Sequence, residues 1–418
     1  MDYRQLALEL HKEKRGKLSV ASKVNVENTF DLSLVYSPGV AEPCKEITKN
    51  RVEVYDYTIK GNTVAVVSDG SAVLGLGDIG PYAAMPVMEG KAILFKSFAG
   101  IDAFPICLNT KDIDKIIETV KYLEPTFGGI NLEDIAAPNC FEIEDRLRQE
   151  LNIPVFHDDQ HGTAIVTAAG LINALKITNK KMNEIKVVIN GAGAAGIAIV
   201  KLLYRMGVRD IIMCDSKGAI YENRPYGMNP MKNAVVLYTN PNRISGMLGE
   251  VIEGADVFIG VSVAGALTQE MIRKMNRDPV IFALANPVPE IMPDEAIAAG
   301  AKIVGTGRSD FPNQINNVLA FPGIFRGALD VAATDINDEM KIAAVFAIAN
   351  LVSENELAPN YIIPRPLDPR VAPEVAKAVA QSAMDTGVAR KIISPLEIER
   401  RTKELAMIQE KKAELCKK

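Results

Sequence analysis

Cysteine is scarce in this 418-residue chain, and the spacing of the few cysteines excludes two classes of protein. They are odd in number, widely separated, and include no C-x-x-C pair. This distribution argues against a disulfide framework and against a structural zinc site, and it is typical of reduced thiols in the cytoplasm. The five positions are Cys44, Cys107, Cys140, Cys214 and Cys416.

Long apolar runs and an excess of charge of one sign are also missing. No uninterrupted apolar stretch approaches the roughly 20 residues that a membrane span needs, and residues 1–18 form a charged helical pattern without the apolar core of a signal peptide. The net charge is −5 with no polybasic run, which argues against nucleic acid and anionic membranes as partners. We therefore expect a soluble cytoplasmic protein.

Low-complexity segments and internal repeats are absent as well, so the length of 418 residues points to two or three domains. From about Thr63 onward, short apolar runs alternate with helical patterns. The segments TVAVVSD, AFPICLN, GGINLED and IPVFHDD read as strands, and the segments between them read as helices. Repeated strand–helix units predict an α/β fold with a parallel sheet. From Gly323 onward the chain is predicted to be helical.

Acidic residues follow three of these predicted strands. Asp69 ends the first, Glu133 and Asp134 end the third, and Asp158 and Asp159 end the fourth. Binding sites in such sheets form beyond the carboxyl ends of the strands. A single Asp there is usually a helix cap, but clustered carboxylates repel one another unless a cation lies among them. The pattern predicts a divalent metal site, and hard oxygen ligands favour Mg²⁺ or Mn²⁺ over zinc.

The segment HDDQH holds two of the three histidines, and its spacing is similar to the zinc-protease motif H-E-x-x-H. Zinc-protease chemistry requires both histidines on one face of a helix. Here His157 directly follows the predicted strand IPVF, and the helix is predicted to begin between Asp158 and Thr163. The two side chains should then point in different directions. We interpret His157 and His161 as hydrogen-bonded structural residues.

The second half contains a dinucleotide-binding pattern. In EIKVVINGAGAAGIAIVKLL, a strand is followed by G-x-G-x-x-G and a helix, which suits a pyrophosphate at the helix N-terminus. The loop residues are Gly191, Gly193, Ala194, Ala195 and Gly196. Asp215 ends the next strand and is placed to bind the ribose hydroxyls. Its charge favours NAD over NADP, although Lys217 could weaken the repulsion of a 2′-phosphate.

The acidic cluster, the dinucleotide pattern and a later asparagine-containing loop together resemble malic enzyme, the oxidative decarboxylase of malate. The most specific motifs are YSPGVA, DGSAVLGLGDIG, GINLEDIAAP, FHDDQHGTA and INNVLAFPG. The resemblance covers nearly the whole chain, and its length is similar to the short-subunit prokaryotic branch. It implies a substrate and metal domain over 1–157, a Rossmann-like NAD(P)-binding domain over 158–325, and C-terminal helices over 326–418 that pack back on the core.

The resemblance also implies roles for individual residues. Glu133, Asp134 and Asp159 would be the metal ligands, Tyr36, Lys91 and Asp158 the catalytic residues, and Asn286 and Asn317 the substrate-binding residues, with Asn286 also contacting the cofactor. Taken alone, Asn286 reads as a turn residue after a strand. One departure concerns a substrate-binding Arg of large-subunit relatives, which is replaced here by the segment Ser71, Ala72 and Val73. The metal and the backbone amides of the glycine-rich loop are candidates for part of its role.

The implied reaction is the divalent-metal- and NAD(P)-dependent oxidative decarboxylation of (S)-malate to pyruvate and CO₂, with oxaloacetate as a further substrate. Lys91 would be the base at the 2-hydroxyl and Tyr36 the acid at C3. We expect at least a homodimer, and Tyr36 lies in an N-terminal segment able to reach a neighbouring subunit. The alternatives are an amino-acid or methylene-folate dehydrogenase, malolactic decarboxylation with retained NAD, and a non-catalytic NAD(H)-sensing module.

Overall fold

The chain begins with a helical arm whose helices bury none of their side chains. A computed structural model describes residues 3–73 and 75–415. The first four helices, which we call the N-terminal arm, contain no buried residue, and many of their large apolar side chains are exposed. Their bounds are α1 Tyr3–Lys14, α2 Thr29–Val35, α3 Ala41–Lys49 and α4 Val54–Tyr57, with 3₁₀ turns at Arg51–Glu53 and Ile59–Asn62. An exposed apolar surface of this kind is typical of an interaction surface.

A four-stranded parallel sheet follows the arm. Its elements are β1 Thr63–Ser68, α5 Gly80–Ala99, β2 Asp102–Cys107, α6 Ile113–Leu123, β3 Gly129–Leu132, α7 Asn139–Glu150 and β4 Val155–His157. The strand order is β2-β1-β3-β4, and β1 is buried along its whole length, as expected for a parallel strand covered on both faces. The register pairs Val67 with Leu132 and Leu132 with His157. The residues that follow β1, β3 and β4 therefore meet at one edge.

The long helix α8, Asp158–Thr178, connects this sheet to a second one. The second sheet contains β5 Lys186–Asn190, α9 Ala194–Arg205, β6 Asp210–Asp215, β7 Gly218–Ala219, α10 Pro230–Val235, α11 Leu248–Val251, β8 Val257–Gly260, α12 Gln269–Arg273, β9 Val280–Ala283, α13 Pro293–Ala298 and β10 Ile303–Thr306. The order is β10-β9-β8-β5-β6-β7, and only β7 is antiparallel to its neighbour. With β5 counted first, this is the order of a Rossmann fold.

Four helices at the C-terminal end return to the first sheet. After a 3₁₀ turn at Asn317–Leu319 come α14 Phe321–Asp330, α15 Asp338–Asn350, α16 Val371–Asp385 and α17 Pro395–Leu415. All ten residues of α14 are buried. The Phe321 ring packs edge-on against Phe95 of α5, with 4.7 Å between the ring centroids. One cluster of buried apolar side chains thus extends from β1 through α8 to α14 and α16.

The α/β fold with parallel sheets and C-terminal helices is confirmed. The division at residues 157 and 325 stays a prediction, and α14 runs through the second of these boundaries. Within the described residues, no helix combines the length and the apolar character required to cross a membrane.

Candidate active site

Three acidic side chains converge where β3 and β4 end side by side. Oxygen atoms of Glu133, Asp134 and Asp159 all lie within 4.8 Å of one another, and we call this group the carboxylate cluster. The Asp134 backbone N–H donates to Asp159 Oδ2 at 2.8 Å, which ties the two strand ends together. Asp134 has a positive φ of 53°, an uncommon conformation for a residue other than glycine. This turn directs the chain away from the sheet directly after Glu133.

The electrostatics of the carboxylate cluster suit a cation. Burial raises the pKa of Glu133 to about 7; Lys91 opposes this shift and Asp159 adds to it. Burial also raises the pKa of Asp159, whose side chain is one-third exposed. A divalent ion would relieve the repulsion among these groups. Three hard oxygen donors fit Mg²⁺ or Mn²⁺, so the residues present match the predicted metal.

Two of the five strand-end acids, Asp69 and Asp158, lie outside this cluster. Asp69 Oδ1 accepts hydrogen bonds from the backbone N–H and the hydroxyl of Ser71, at 3.0 and 2.5 Å. Asp69 therefore stabilises its own turn, as strand-end aspartates commonly do. Asp158 is fully buried and pairs with Lys91.

Lys91 lies within α5 and is only 7% exposed. Its Nζ atom is 2.5 Å from Asp158 Oδ2, 2.9 Å from Glu133 Oε1, and 4.1 Å from the centroid of the Phe321 ring. Burial lowers the pKa of Lys91, but Asp158 and Glu133 raise it by more, so the ammonium form is favoured. The Asn317 amide donates to the same Asp158 oxygen. Lys91, Asp158 and Asn317 thus form a buried group beside the carboxylate cluster.

Tyr36 is not brought to this group within one chain. It follows α2 in the N-terminal arm and is 69% exposed. Its hydroxyl makes no hydrogen bond to another described residue.

Asn286 follows β9, and its carbonyl oxygen lies 2.6 Å from where a Cβ on Gly75 would stand. The glycine-rich loop after β1 therefore touches the end of β9, which places Asn286 where the two sheets meet.

The two histidines straddle the junction between β4 and α8, as predicted. His157 is the last residue of β4, and His161 lies in the first turn of α8, with Nε2 2.8 Å from Glu144 Oε1. For His157 the interpretation as a hydrogen-bonded residue holds for the backbone, whose N–H donates to Glu144, but is wrong for the ring, since neither ring nitrogen has a hydrogen-bond partner among the described residues. Its Nε2 atom is 3.4 Å from Asp159 Oδ2, and burial lowers the pKa of His157 to about 4. The geometry matches no zinc-protease helix.

The dinucleotide turn between β5 and α9 has the expected geometry. Gly191 has a φ of 124°, and a Cβ at Gly196 would stand 1.9 Å from the Gly191 carbonyl oxygen. Only glycine fits either position, which keeps the turn tight. A Cβ on Gly193, by contrast, would have no described atom within 4 Å. This open side of the turn, at the start of α9 with Ala194 and Ala195, suits the approach of a pyrophosphate.

Asp215 ends β6 as predicted, but its carboxylate is already paired. Arg224 Nη2 lies 2.5 Å and Lys232 Nζ 2.6 Å from Asp215 Oδ2. Burial raises the pKa of Asp215, and these two cations lower it by more, to about 2. Lys217 contributes its backbone N–H at 2.8 Å rather than its ammonium group. The sequence reasoning missed Arg224 and Lys232, because the only available signal was basic residues 9 and 17 positions after an acid, a common spacing.

Comparison with known proteins accounts for this combination of sites. The chain matches the family model "Malic enzyme, N-terminal domain" over residues 15–148 and "Malic enzyme, NAD binding domain" over residues 160–384. The chain belongs to the malic enzyme family. The solved malic enzyme from Pyrococcus horikoshii has a similar structure, with a TM-score of 0.94 and 50% identity over 98% of this chain and 96% of that one.

Three curated relatives cover most of this chain. The bifunctional malic/malolactic enzyme of Bacillus subtilis is 70% identical over 98% of this chain and 100% of its own length. The NAD-dependent malic enzyme of Geobacillus stearothermophilus is 60% identical over 90% of this chain and 78% of its own length. The NADP-dependent malic enzyme of Rhizobium meliloti is 52% identical over 94% of this chain and 53% of its own length. Membership of this family argues against an amino-acid or methylene-folate dehydrogenase.

Proposed function

We propose that this malic enzyme family member catalyses the divalent-cation- and NAD(P)-dependent oxidative decarboxylation of (S)-malate to pyruvate and CO₂ in the cytoplasm. The observation that carries the proposal is the carboxylate cluster in direct contact with buried Lys91, which also pairs with Asp158. The test is to add malate and Mn²⁺ to the protein with NAD, and to follow the absorbance of the reduced nicotinamide together with pyruvate. Binding of NAD(H) without turnover would favour the sensing module instead.

The chain's own residues divide the chemistry between them. Glu133, Asp134 and Asp159 would hold the cation, which when bound polarises the oxygen on C2 of the substrate and stabilises enolate charge, while the nicotinamide supplies the hydride acceptor. In our proposal, Asp158 orients Lys91, and Lys91 takes the proton of the 2-hydroxyl in its neutral amine form. A divalent cation held beside Lys91 would lower its pKa, against the two carboxylates that favour the ammonium form. Asn286 and Asn317 donate amide hydrogen bonds to the substrate carboxylates, a role that suits the lack of an Arg in the glycine-rich loop.

Protonation of C3 requires an acid from outside the buried group, and we propose that Tyr36 of a second subunit supplies it. Tyr36 is exposed on the N-terminal arm, whose helices contain no buried residue. Apolar side chains near it in the chain, such as Phe30, Leu32 and Leu34, are exposed as well. A two-fold dimer that exchanges such arms would cover these side chains and complete two equivalent sites. We therefore propose a homodimer in which each arm serves its partner.

Mixed dimers test this arrangement. Lys91→Ala and Tyr36→Phe proteins should each be nearly inactive in forming pyruvate. If Tyr36 acts in the neighbouring site, random mixing of the two variants should restore about a quarter of the wild-type activity, because half of the dimers then carry one intact site. Activity that stays at the level of the separate variants after subunit exchange, shown by native mass spectrometry, would place Tyr36 in the site of its own chain.

For the cofactor, we propose that NAD is preferred and that NADP is used less well. In this proposal, Asp215 at the end of β6 accepts hydrogen bonds from the ribose hydroxyls, and its carboxylate opposes a 2′-phosphate although Arg224 and Lys232 offset part of its charge. Arg224 is buried and donates to three backbone carbonyl groups besides Asp215, so it is committed to the fold. Lys232 is more exposed and is the cation best placed to meet a 2′-phosphate.

Lys232→Ala should therefore lower kcat/KM with NADP on the order of tenfold, the loss of one hydrogen bond to a charged group, and leave the value with NAD nearly unchanged. Steady-state kinetics with both cofactors measure the ratio. Lys274→Ala is the matched control, since Lys274 pairs with Glu270 of α12 rather than with Asp215. An equal loss with both cofactors would assign Lys232 to the fold rather than to phosphate recognition.

A second activity is favoured by the Bacillus subtilis relative, whose name includes malolactic activity. We propose that the same site also forms lactate from malate with NAD retained, and that it decarboxylates added oxaloacetate. The test is to measure lactate, pyruvate and NADH separately after malate is added. Lactate formed without NADH indicates the malolactic reaction, and pyruvate formed with an equal amount of NADH indicates oxidative decarboxylation. Pyruvate and NADH in equal amounts, without lactate, would exclude the malolactic reaction.

A further inference from the structure

Glu144 of α7 is a buried acid that has no role in the chemistry described so far. It is 3% exposed and accepts three hydrogen bonds through its carboxylate. The His157 backbone N–H donates at 3.0 Å, the Gln160 side chain at 2.9 Å, and His161 Nε2 at 2.8 Å. All three donors belong to the segment HDDQH, whose two central residues are Asp158 and Asp159. The Glu144 carboxylate thus binds the residue before Asp158 and Asp159 and the two residues after them.

The N-terminus of α8 needs such a partner, because its own N-cap residue His157 makes no side-chain capping hydrogen bond. In a capping box, the side chain of a Glu or Gln at the third helical position accepts the N-cap backbone N–H. At that position α8 has Gln160, a neutral side chain that itself donates to Glu144. Glu144 therefore accepts the N-cap N–H from a separate helix, and its negative charge also suits the positive end of α8.

The charge on Glu144 is held by its surroundings. Burial raises its pKa, but His161 and Lys341 lower it by more, to about 2. Lys341 Nζ lies 3.5 Å from His161 Nε2 and 3.3 Å from Asp338 Oδ1. These groups border a cavity of about 190 Å³ that also has Asp145 in its wall. Among the described residues, no hydrogen bond or ion pair joins Glu144 to Lys91, Glu133 or Asp159.

From this geometry we propose that Glu144 is a positioning residue for the reaction. Its carboxylate fixes the β4–α8 junction so that Asp158 meets Lys91 while Asp159 joins Glu133 and Asp134. A shift of this junction would move Asp159 relative to Glu133 and Asp134, whose oxygen atoms now lie within 4.8 Å of one of its own. The inference rests on the proposed function only in taking Asp159 as a metal ligand.

The experiment compares Mn²⁺ binding to folded Glu144→Gln, Glu144→Asp and Asp145→Asn proteins by calorimetry, without substrate. Glu144→Gln keeps one acceptor oxygen but turns the other into a donor that faces Gln160 and His161. We expect its Kd for Mn²⁺ to rise about 10- to 100-fold, the range for losing a residue that orients a ligand, with an unchanged Kd for NADH. Glu144→Asp keeps the charge and should weaken Mn²⁺ binding by less. Asp145→Asn, exposed on the same helix, is the control and should bind Mn²⁺ as the wild type does.

Two further readings separate positioning from stability. A purely structural Glu144 would lower the melting temperature and leave the Kd for Mn²⁺ of the folded protein unchanged, and that result overturns the proposal. If Glu144→Gln does not fold, Glu144→Asp decides by the same criterion. Failure of the proposed function has a different signature, in which Asp159→Ala binds Mn²⁺ as tightly as the wild type.

Discussion

Lys91→Ala is expected to lower kcat for malate oxidation by about 10²- to 10⁴-fold, the usual contribution of a positioned general base. The Kd for NADH should stay the same, because Lys91 lies on α5 beside the first sheet, whereas the Gly191–Gly196 turn belongs to the second sheet. The two measurements are steady-state kinetics and fluorescence titration of NADH. Near-normal turnover would remove Lys91 from the mechanism.

Stability needs a separate control in this experiment. Removing the Lys91 ammonium leaves Asp158 and Glu133 without their buried counter-charge, and breaking a buried pair costs about 3–5 kcal/mol. The double variant Lys91→Ala with Asp158→Asn removes one of those charges and should fold better while remaining inactive. Lys96→Ala is a control on the same helix. It removes a partly exposed ion pair with Asp102 and should leave kcat unchanged.

Asp159→Ala is expected to raise the Kd for Mn²⁺ by at least about 100-fold, because losing even a residue that orients a ligand costs 10–100-fold. The cluster would keep only Glu133 and Asp134, both from one strand end. Calorimetric titration of the folded variant gives the Kd directly. Asp69→Asn is the control, since Asp69 follows β1 at the same sheet edge but accepts hydrogen bonds from Ser71 instead. Its metal affinity should match that of the wild type.

An unaltered Mn²⁺ affinity in Asp159→Ala would show that Asp159 is not a metal ligand. An equal loss in Asp69→Asn would instead show that Mn²⁺ responds to the total charge at this sheet edge. The two results separate a defined site from general attraction of cations to acidic residues.

The sequence predicted the parts of the site that depend on parallel-strand geometry. Because parallel strands align their carboxyl ends, acids after β3 and β4 had to meet, and Glu133, Asp134 and Asp159 do. The same reasoning failed for Asp69, since whether a strand-end acid closes its own turn or faces a neighbour depends on one side-chain torsion. The hydrophobic periodicity of the sequence and the order of the strands do not determine that torsion. Tertiary packing does.

Long-range pairs were the other limit. Arg224 and Lys232 reach Asp215 across a loop, and Glu144 reaches the HDDQH segment from α7. Each is an ordinary charged residue in its own helix or loop, without a local signal. The role of Tyr36 stays a prediction: within one chain it is exposed on the N-terminal arm, and in our proposal it acts in the site of a second subunit. Helix spacing and strand patterns describe each element separately, whereas these contacts arise only when elements pack.

The most direct measurement is anomalous diffraction at the manganese edge from a crystal soaked with Mn²⁺, NADH and a malate analogue. We expect one strong peak among Glu133, Asp134 and Asp159, with the analogue between that peak and the nicotinamide ring and within reach of Lys91. A manganese peak elsewhere, with these three carboxylates free of metal, would contradict the assignment of the active site.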